Sequence, residues 1–187
     1  MGPLERLINP SSIAIVGASN NPLKMATMHL LSVMKDGYQG KIFPVHPKED
    51  VVFGLKAYKS PFDLPEAPDC AIFVIPATNI PTTLDAFGTI GTKRAIIISA
   101  GFKEVGEEGR KLEDEVKAIA AKHGIRFLGP NCMGLINSEI ALNTTVMAYT
   151  AKPGSLGFAS QSGTYITQSI IYLQHHGIRF SKAVSVG

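Results

Sequence analysis

The stretch Ile13-Ala14-Ile15-Val16-Gly17-Ala18-Ser19-Asn20-Asn21-Pro22 constrains the fold more than any other part of the chain. A short apolar strand runs straight into a turn of small residues, and a helical pattern follows. That succession gathers turn amides and a helix N-terminus at one point, where the helix dipole favours an anion. Only small side chains let a pyrophosphate come so close to backbone. The loop lacks a complete G-x-G-x-x-G, so by itself it also fits an ordinary βα turn.

The end of the second strand separates these readings. A dinucleotide-binding unit places Asp or Glu about 20 residues after the glycines, to accept the ribose hydroxyls. Here the strand Ile42–Val45 ends at His46-Pro47-Lys48, with Glu49 and Asp50 following. A lysine suits a phosphorylated ribose better than the free diol of NAD. The expectation is a phosphorylated nucleotide rather than NAD.

Near-continuous apolar runs at Ile13–Val16, Ile42–Val45, Cys70–Ile75, Ala95–Ile98 and Arg126–Leu128 predict strands covered on both faces, as in a parallel sheet. Helical patterns fall between them at Leu23–Lys35, Ile80–Ile90 and Glu107–Lys122, with Gly37 and Gly124 as natural C-caps. Repeated βα units predict a doubly wound, Rossmann-like α/β sheet. In such sheets ligands lie beyond the carboxyl ends of the strands. Those ends here are rich in Gly, Pro and small side chains: Gly17-Ala18-Ser19, His46-Pro47-Lys48, Ile75-Pro76-Ala77, Ser99-Ala100-Gly101-Phe102 and Gly129-Pro130-Asn131-Cys132-Met133-Gly134. Together on one edge they favour an extended ligand groove.

Composition narrows the partners. The chain has 187 residues, 45% of them hydrophobic, with 18% charged and a net charge of +3 without a basic stripe. That argues against a nucleic-acid surface. No window reaches the roughly 18 apolar residues of a membrane span, and the amino terminus lacks signal-peptide character. Two cysteines, Cys70 and Cys132, are too few for a disulfide framework and fit a reducing cytoplasm, and neither sits in a C-x-x-C, which gives zinc no support. No metal site is expected.

At these residues the chain resembles a known family. Ile-Val-Gly-Ala-Ser (15–19), Pro-Val-His-Pro-Lys (44–48), Ile-Ser-Ala-Gly-Phe (98–102), Gly-Pro-Asn-Cys-Met-Gly (129–134) and Ser-Gln-Ser-Gly-Thr (160–164) resemble the NDP-forming acyl-CoA synthetases. The likeness is greatest to ADP-forming acetate-CoA ligases, and more distant to the succinyl-CoA synthetase α subunit. The resemblance implies a CoA-binding Rossmann-like domain over 1–135, a connector over 136–151, and the beginning of a flavodoxin-like ligase domain over 152–187. It implies that Gly17, Ala18, Ser19, Asn20, Asn21, Pro22, Pro47 and Lys48 contact the nucleotide and phosphates of coenzyme A. Ile75, Pro76, Ser99, Ala100, Gly101 and Asn131 would line the remaining path. CoA carries a 3′-phosphate on its ribose, in line with the lysine argument.

A strand over Ser155–Ala159, then Ser160-Gln161-Ser162-Gly163-Thr164 at a helix N-terminus, forms a second candidate anion cradle. N-capping by Ser160 or Ser162 explains the same residues and is compatible with it. In the resembled family this helix end receives a phosphorylated His. Succinyl-CoA synthetases often have Arg where Gln161 stands. The family's relay His lies in a loop beyond the equivalent of residue 187, and none of His29, His46, His123, His175 and His176 has a nucleophile or carboxylate arranged for catalysis. No catalytic residue is therefore expected within this chain.

The stretch from Asn137 to Thr150 reads as polar and irregular. The two strands (Ser155–Ala159, Lys182–Val186) and one helix after it cannot bury their apolar surface alone. The chain is accordingly expected to be a piece of a longer α-type subunit, truncated at Gly187, whose partners are CoA or acyl-CoA, an ATP-grasp domain or β subunit, and copies of itself. The implied parent reaction is acyl-CoA + ADP + phosphate ⇌ carboxylate + CoA + ATP, with this portion inactive alone. A non-catalytic CoA-sensing module, as in the synthetase-like region of some protein acetyltransferases, is the alternative. A nicotinamide-dependent oxidoreductase is disfavoured by Lys48.

Overall fold

All five residues of Ser12–Val16 are buried, as a strand covered on both faces must be. The computed structural model describes residues 4–147 and 152–187. Its first part runs α1 (Glu5–Ile8), β1 (Ser12–Val16), α2 (Met25–Asp36), β2 (Lys41–Val45), a hairpin of β3 (Val51–Val52) and β4 (Leu55–Lys56), β5 (Cys70–Phe73), α3 (Ile80–Thr89), β6 (Arg94–Ile97), α4 (Glu107–His123) and β7 (Arg126–Leu128). The parallel sheet has the order β2-β1-β5-β6-β7. This is the expected Rossmann-like α/β architecture.

The period of two along β1 divides its side chains between two cores. Ile13 and Ile15 join Leu30 and Val33 of α2. Ala14 and Val16 join Ile80, Leu84 and Phe87 of α3 and Val116 and Ala120 of α4. Phe73 of β5 meets Phe87 edge-on, with ring centroids 5.5 Å apart. Helix α2 therefore covers one face and α3 with α4 the other.

Most boundaries fall within two residues of the sequence expectation. Strand β5 ends at Phe73 rather than Ile75, because a side chain takes over from the ladder. The Ile75 amide donates to Ser99 Oγ at 3.1 Å, and that hydroxyl donates to Ile75 O at 2.6 Å. The β3–β4 hairpin was not anticipated. Its turn residues Phe53 and Gly54 both have positive φ, a type I′ signature that Phe-Gly does not advertise.

The stretch expected to be irregular carries two strands, β8 (Leu135–Asn137) and β9 (Leu142–Asn143). They pair with β10 (Leu156–Ser160) and β11 (Phe180–Ser185), and α5 (Gly163–His175) lies between the latter two in sequence. The order is β10-β11-β8-β9, with β10 and β11 parallel and the other pairs antiparallel. The polar residues that suggested a loop are taken up by long-range hydrogen bonds to the first part of the chain. Asn137 Nδ2 donates to Ile8 O at 2.9 Å, Asn143 Nδ2 to Asp36 Oδ2 at 2.9 Å, and His29 Nδ1 meets Thr144 O at 2.6 Å. Ile136, Met147, Ile166, Ile170, Phe180 and Ala183 form a small third core. Residues 148–151 of the expected connector lie outside the described residues, as do residues 1–3. Among the described residues no helix is long and apolar enough to cross a membrane.

Two glycines test how much the first turn depends on close approach. Gly17 has φ +102, and a Cβ there would sit 2.6 Å from Val74 O. Gly37, the left-handed cap of α2, has φ +90 and nothing within 4 Å. Gly37→Ala should cost about 1–2 kcal/mol from backbone strain alone. Gly17→Ala should cost more than about 3 kcal/mol because backbone must also move, read as a larger fall in urea midpoint.

Candidate functional site

Strand β1 lies between β2 and β5, and its connection to β2 runs on the opposite face from the helix that follows β5. A crevice opens where those connections part. In this structure it is a cleft of about 720 Å³ whose walls are the strand ends Val16-Gly17, Val45-His46-Pro47 and Val74-Ile75-Pro76. Lys24, Lys59, Phe62, Asn79, Thr82 and Thr83 are among its other lining residues. Lys24 and Asn79 are the N-cap residues of α2 and α3, and neither helix has a side-chain cap. At α3 a 3₁₀ turn (Ala77–Asn79) runs into the helix, the Ile80 amide donates to Ala77 O and Pro81 has no N–H, so the open N-terminus is that of α2. It meets a cleft whose lining holds lysines and no carboxylate, which suits an anion.

The β1–α2 turn is more self-contained than its sequence suggested. The Gly17 amide donates to Val45 O at 2.9 Å. The Ser19 amide donates to Thr27 Oγ1 at 3.1 Å, and that hydroxyl donates to Ser19 O at 2.9 Å. The Asn21 amide reaches Ser19 Oγ at 3.4 Å, and Asn21 Oδ1 accepts from Leu23 N at 3.0 Å. Asn20 clamps the turn to the hairpin: its Nδ2 donates to Glu49 Oε2 at 3.0 Å and Val51 O at 2.7 Å, while its Oδ1 accepts from Phe53 N at 3.1 Å. Ala18 and Ser19 are buried, and Pro22 is exposed. Of the residues expected to hold phosphate, Gly17 and Pro47 line the cleft, and Ala18 to Pro22 form the β1–α2 turn next to Gly17, outside the lining.

The cations were only partly anticipated. Lys48 is exposed and lies outside the lining, whereas Lys24 and Lys59 belong to it. Lys59 arrives because Tyr58 pairs with the end of β2: the His46 amide donates to Tyr58 O and the Tyr58 amide to Pro44 O, both at 2.9 Å. Asp50 forms an ion pair with Lys59 at 2.7 Å. The two carboxylates after β2 thus already have partners, Glu49 in Asn20 and Asp50 in Lys59. Burial lowers the pKa of His46; Glu49 opposes this and Lys24, Lys48 and Lys59 add to it. At the other end Phe62 is 63% exposed, on a 3₁₀ turn pinned by Ser60 N and Oγ donating to Asp63 Oδ2 at 2.9 and 3.0 Å. Lys24, Lys59 and Phe62 are scattered in the sequence, and no motif marks them.

The remaining expected residues follow the same sheet edge away from the cleft. Ile75 and Pro76 line it, and Ser99 ties β6 to Ile75 as described. The Gly101 amide donates to Glu104 Oε1 at 2.6 Å. Asn131, at φ +56, donates its amide to Ser99 O at 3.0 Å. Beyond β7 this edge meets the second sheet: Gly129 N donates to Val186 O at 3.1 Å, and Met133 N to Ser185 Oγ at 3.1 Å. Gly163, at the start of α5, has Met133 against it. Ser162 caps α5 by accepting from Tyr165 N at 3.2 Å, and Ser160 Oγ accepts from Ser162 N at 3.1 Å. The first-turn amides of Gly163 and Thr164 lie beyond any intrahelical acceptor, and Gln161 and Thr164 are exposed. Cys132 is buried, with its thiol pushed up to about 11 by burial, so it is a packing residue rather than a nucleophile. Among the described residues no cluster of three His, Cys, Asp or Glu could hold a metal.

Comparison with known proteins decides the family. Residues 11–138 match the family described as CoA binding domain. The chain belongs to that family. This CoA-binding domain chain is 41% identical over 184 residues to the α subunit of acetate–CoA ligase [ADP-forming] II of Pyrococcus furiosus, covering 98% of the chain and 40% of that protein. It is 38% identical to acetate–CoA ligase [ADP-forming] I of Archaeoglobus fulgidus, covering 98% of the chain and 27% of the relative. Among solved structures, the apo dinucleotide forming acetyl-coenzyme A synthetase 1 of Ca. Korarchaeum cryptofilum superposes with a TM-score of 0.93 at 38% identity, over 98% of this chain and 40% of that one. The chain therefore spans well under half the length of these relatives.

The Ser19–Thr27 pair gives a direct test of how the turn is held. Thr27 is fully buried, so Thr27→Val strands an amide and a carbonyl in the core. It should lower stability by about 2–4 kcal/mol, whereas Thr27→Ser should cost under about 1 kcal/mol, both measured by urea unfolding.

Proposed function

We propose that this domain binds CoA with the nucleotide half in the cleft between β1, β2 and β5. The single observation that carries the reading is the convergence of the uncapped α2 N-terminus with Lys24 and Lys59 in a lining without carboxylates. A doubly charged diphosphate is the ligand chemistry such a field selects. In this reading the diphosphate lies against Gly17, Lys24 and Lys59. Lys48, on the rim, faces the 3′-phosphate. Phe62 offers its ring to the adenine. The pantetheine arm runs past Ile75, Pro76 and Ser99-Ala100-Gly101 toward Asn131 and Met133, so that the thiol arrives near the start of α5. There Ser160 to Thr164 would receive a phosphoryl group in transit.

The names of the relatives supply the larger reaction. We infer that the chain is the CoA-binding portion of an α-type ADP-forming acyl-CoA synthetase, in which acyl-CoA, ADP and phosphate give a carboxylate, CoA and ATP. CoA is then a substrate, not a resident cofactor. The nucleotide-binding ATP-grasp machinery and the relay His come from elsewhere, in a further domain or a β subunit, and the assembled protein is a homo-oligomer of such units. The unpaired, buried cysteines Cys70 and Cys132 fit a cytoplasmic setting.

Calorimetry on the full chain tests this. CoA should bind more tightly than dephospho-CoA, and NAD least. Lys24→Ala and Lys59→Ala should each cost about 1–3 kcal/mol with either CoA form, and Phe62→Ala about 1–2 kcal/mol. Lys48→Ala should cost CoA about 0.5–1 kcal/mol, because its ammonium is exposed, and dephospho-CoA nothing. A folded chain that ignores CoA, or prefers NAD, overturns the reading.

A further inference from the structure

His46 stands at the carboxyl end of β2, in the lining of the cleft, beside Lys24 and Lys59. Its ring is held from behind. The Lys48 amide donates to His46 Nδ1 at 3.3 Å, and the His46 amide is itself fixed to Tyr58 O at 2.9 Å. An amide N–H can only donate, so Nδ1 must be the unprotonated nitrogen and the proton of the neutral ring sits on Nε2. Among the described residues Nε2 has no hydrogen-bond partner. The neutral ring therefore carries an unused Nε2–H in the lining of the cleft, which Gly17 of the β1 turn also lines.

We propose that His46 binds the CoA diphosphate as a neutral imidazole, donating Nε2–H to a phosphate oxygen while the Lys48 backbone amide keeps Nδ1 occupied. The proposal rests on the reading that the cleft takes the nucleotide half of CoA. It adds a residue that neither the glycine turn nor the lysines supply, and it sets how the site responds to pH. Becoming a cation would require a proton on Nδ1, which would then face the Lys48 N–H donor-to-donor. The surroundings also resist it. Burial depresses the pKa first of all, Glu49 is the one carboxylate acting in favour of the charge, and Lys24, Lys48 and Lys59 act against it. Glu49 is already held by Asn20 at 3.0 Å. Positive charge at this end of the cleft thus comes from ammonium groups, and His46 contributes direction instead.

Dephospho-CoA is the probe, because its diphosphate has no group that titrates near neutrality. Its affinity for the full chain should change less than about twofold between roughly pH 6 and pH 8, the flat profile of a neutral donor. His46→Phe keeps the ring but removes the donor and should weaken binding roughly tenfold or more. His46→Gln carries a non-titrating donor of similar reach and should stay within about threefold. Long-range ¹H–¹⁵N spectra of the wild-type chain should show Nε2 protonated and Nδ1 bare, with and without ligand. The proposal is overturned by binding that tightens as pH falls and loses that trend in His46→Gln, by His46→Phe binding as well as wild type, or by a proton on Nδ1. If wild type binds neither CoA nor dephospho-CoA, the CoA reading of the cleft fails with it; an unaffected His46→Phe sinks the role of His46 alone.

Discussion

Because β1 is buried on both faces between β2 and β5, the chain can leave it only by passing to one layer and must reach α3 in the other. That steric requirement opens the crevice, and it also turns the N-termini of α2 and α3 toward the same place. The cleft is thus a consequence of packing before it is a consequence of any binding residue. Ile13 and Ile15 on one side and Ala14 and Val16 on the other are what hold β1 there. Gly17 follows directly, and its missing side chain lets the turn lie against the end of β5.

The electrostatics follow from how polar groups are distributed around that turn. Most of the loop's hydrogen-bonding capacity is spent inward, by Ser19 on Thr27, by Asn21 on Leu23, and by Asn20 on the β3–β4 hairpin. In the reading proposed above, this leaves the contacts to CoA to the α2 N-terminus, the lysines and His46. Glu49 and Asp50 would repel a diphosphate if free, and each is engaged, one by an amide and one by an ammonium.

The sheet was legible in the sequence because buried parallel strands must be apolar in unbroken runs, and Ile13–Val16, Cys70–Phe73 and Ala95–Ile97 are. Helix ends at Gly37 and Gly124 were legible because the left-handed cap has few alternatives to glycine. The strands β8 and β9 were not. Asn137, Asn143 and the adjoining Thr144 find partners in α1, α2 and their own turns, and nothing local in a sequence distinguishes such an asparagine from a solvated one. At the site, the residues contiguous with a strand end, Gly17, Pro47, Ile75 and Pro76, could be named in advance. Lys24, Lys59 and Phe62 could not, since the pairing of Tyr58 beside β2 and the Ser60–Asp63 turn bring the latter two in from a segment without periodic pattern.

The most direct measurement is a crystal structure of the chain with CoA bound. It should show the diphosphate between Gly17, Lys24 and His46, the adenine against Phe62, and the thiol arm directed along the β5 and β6 ends toward Met133. Density for CoA elsewhere, with the cleft between β1 and β5 unchanged and its lysines still facing solvent, would contradict the account.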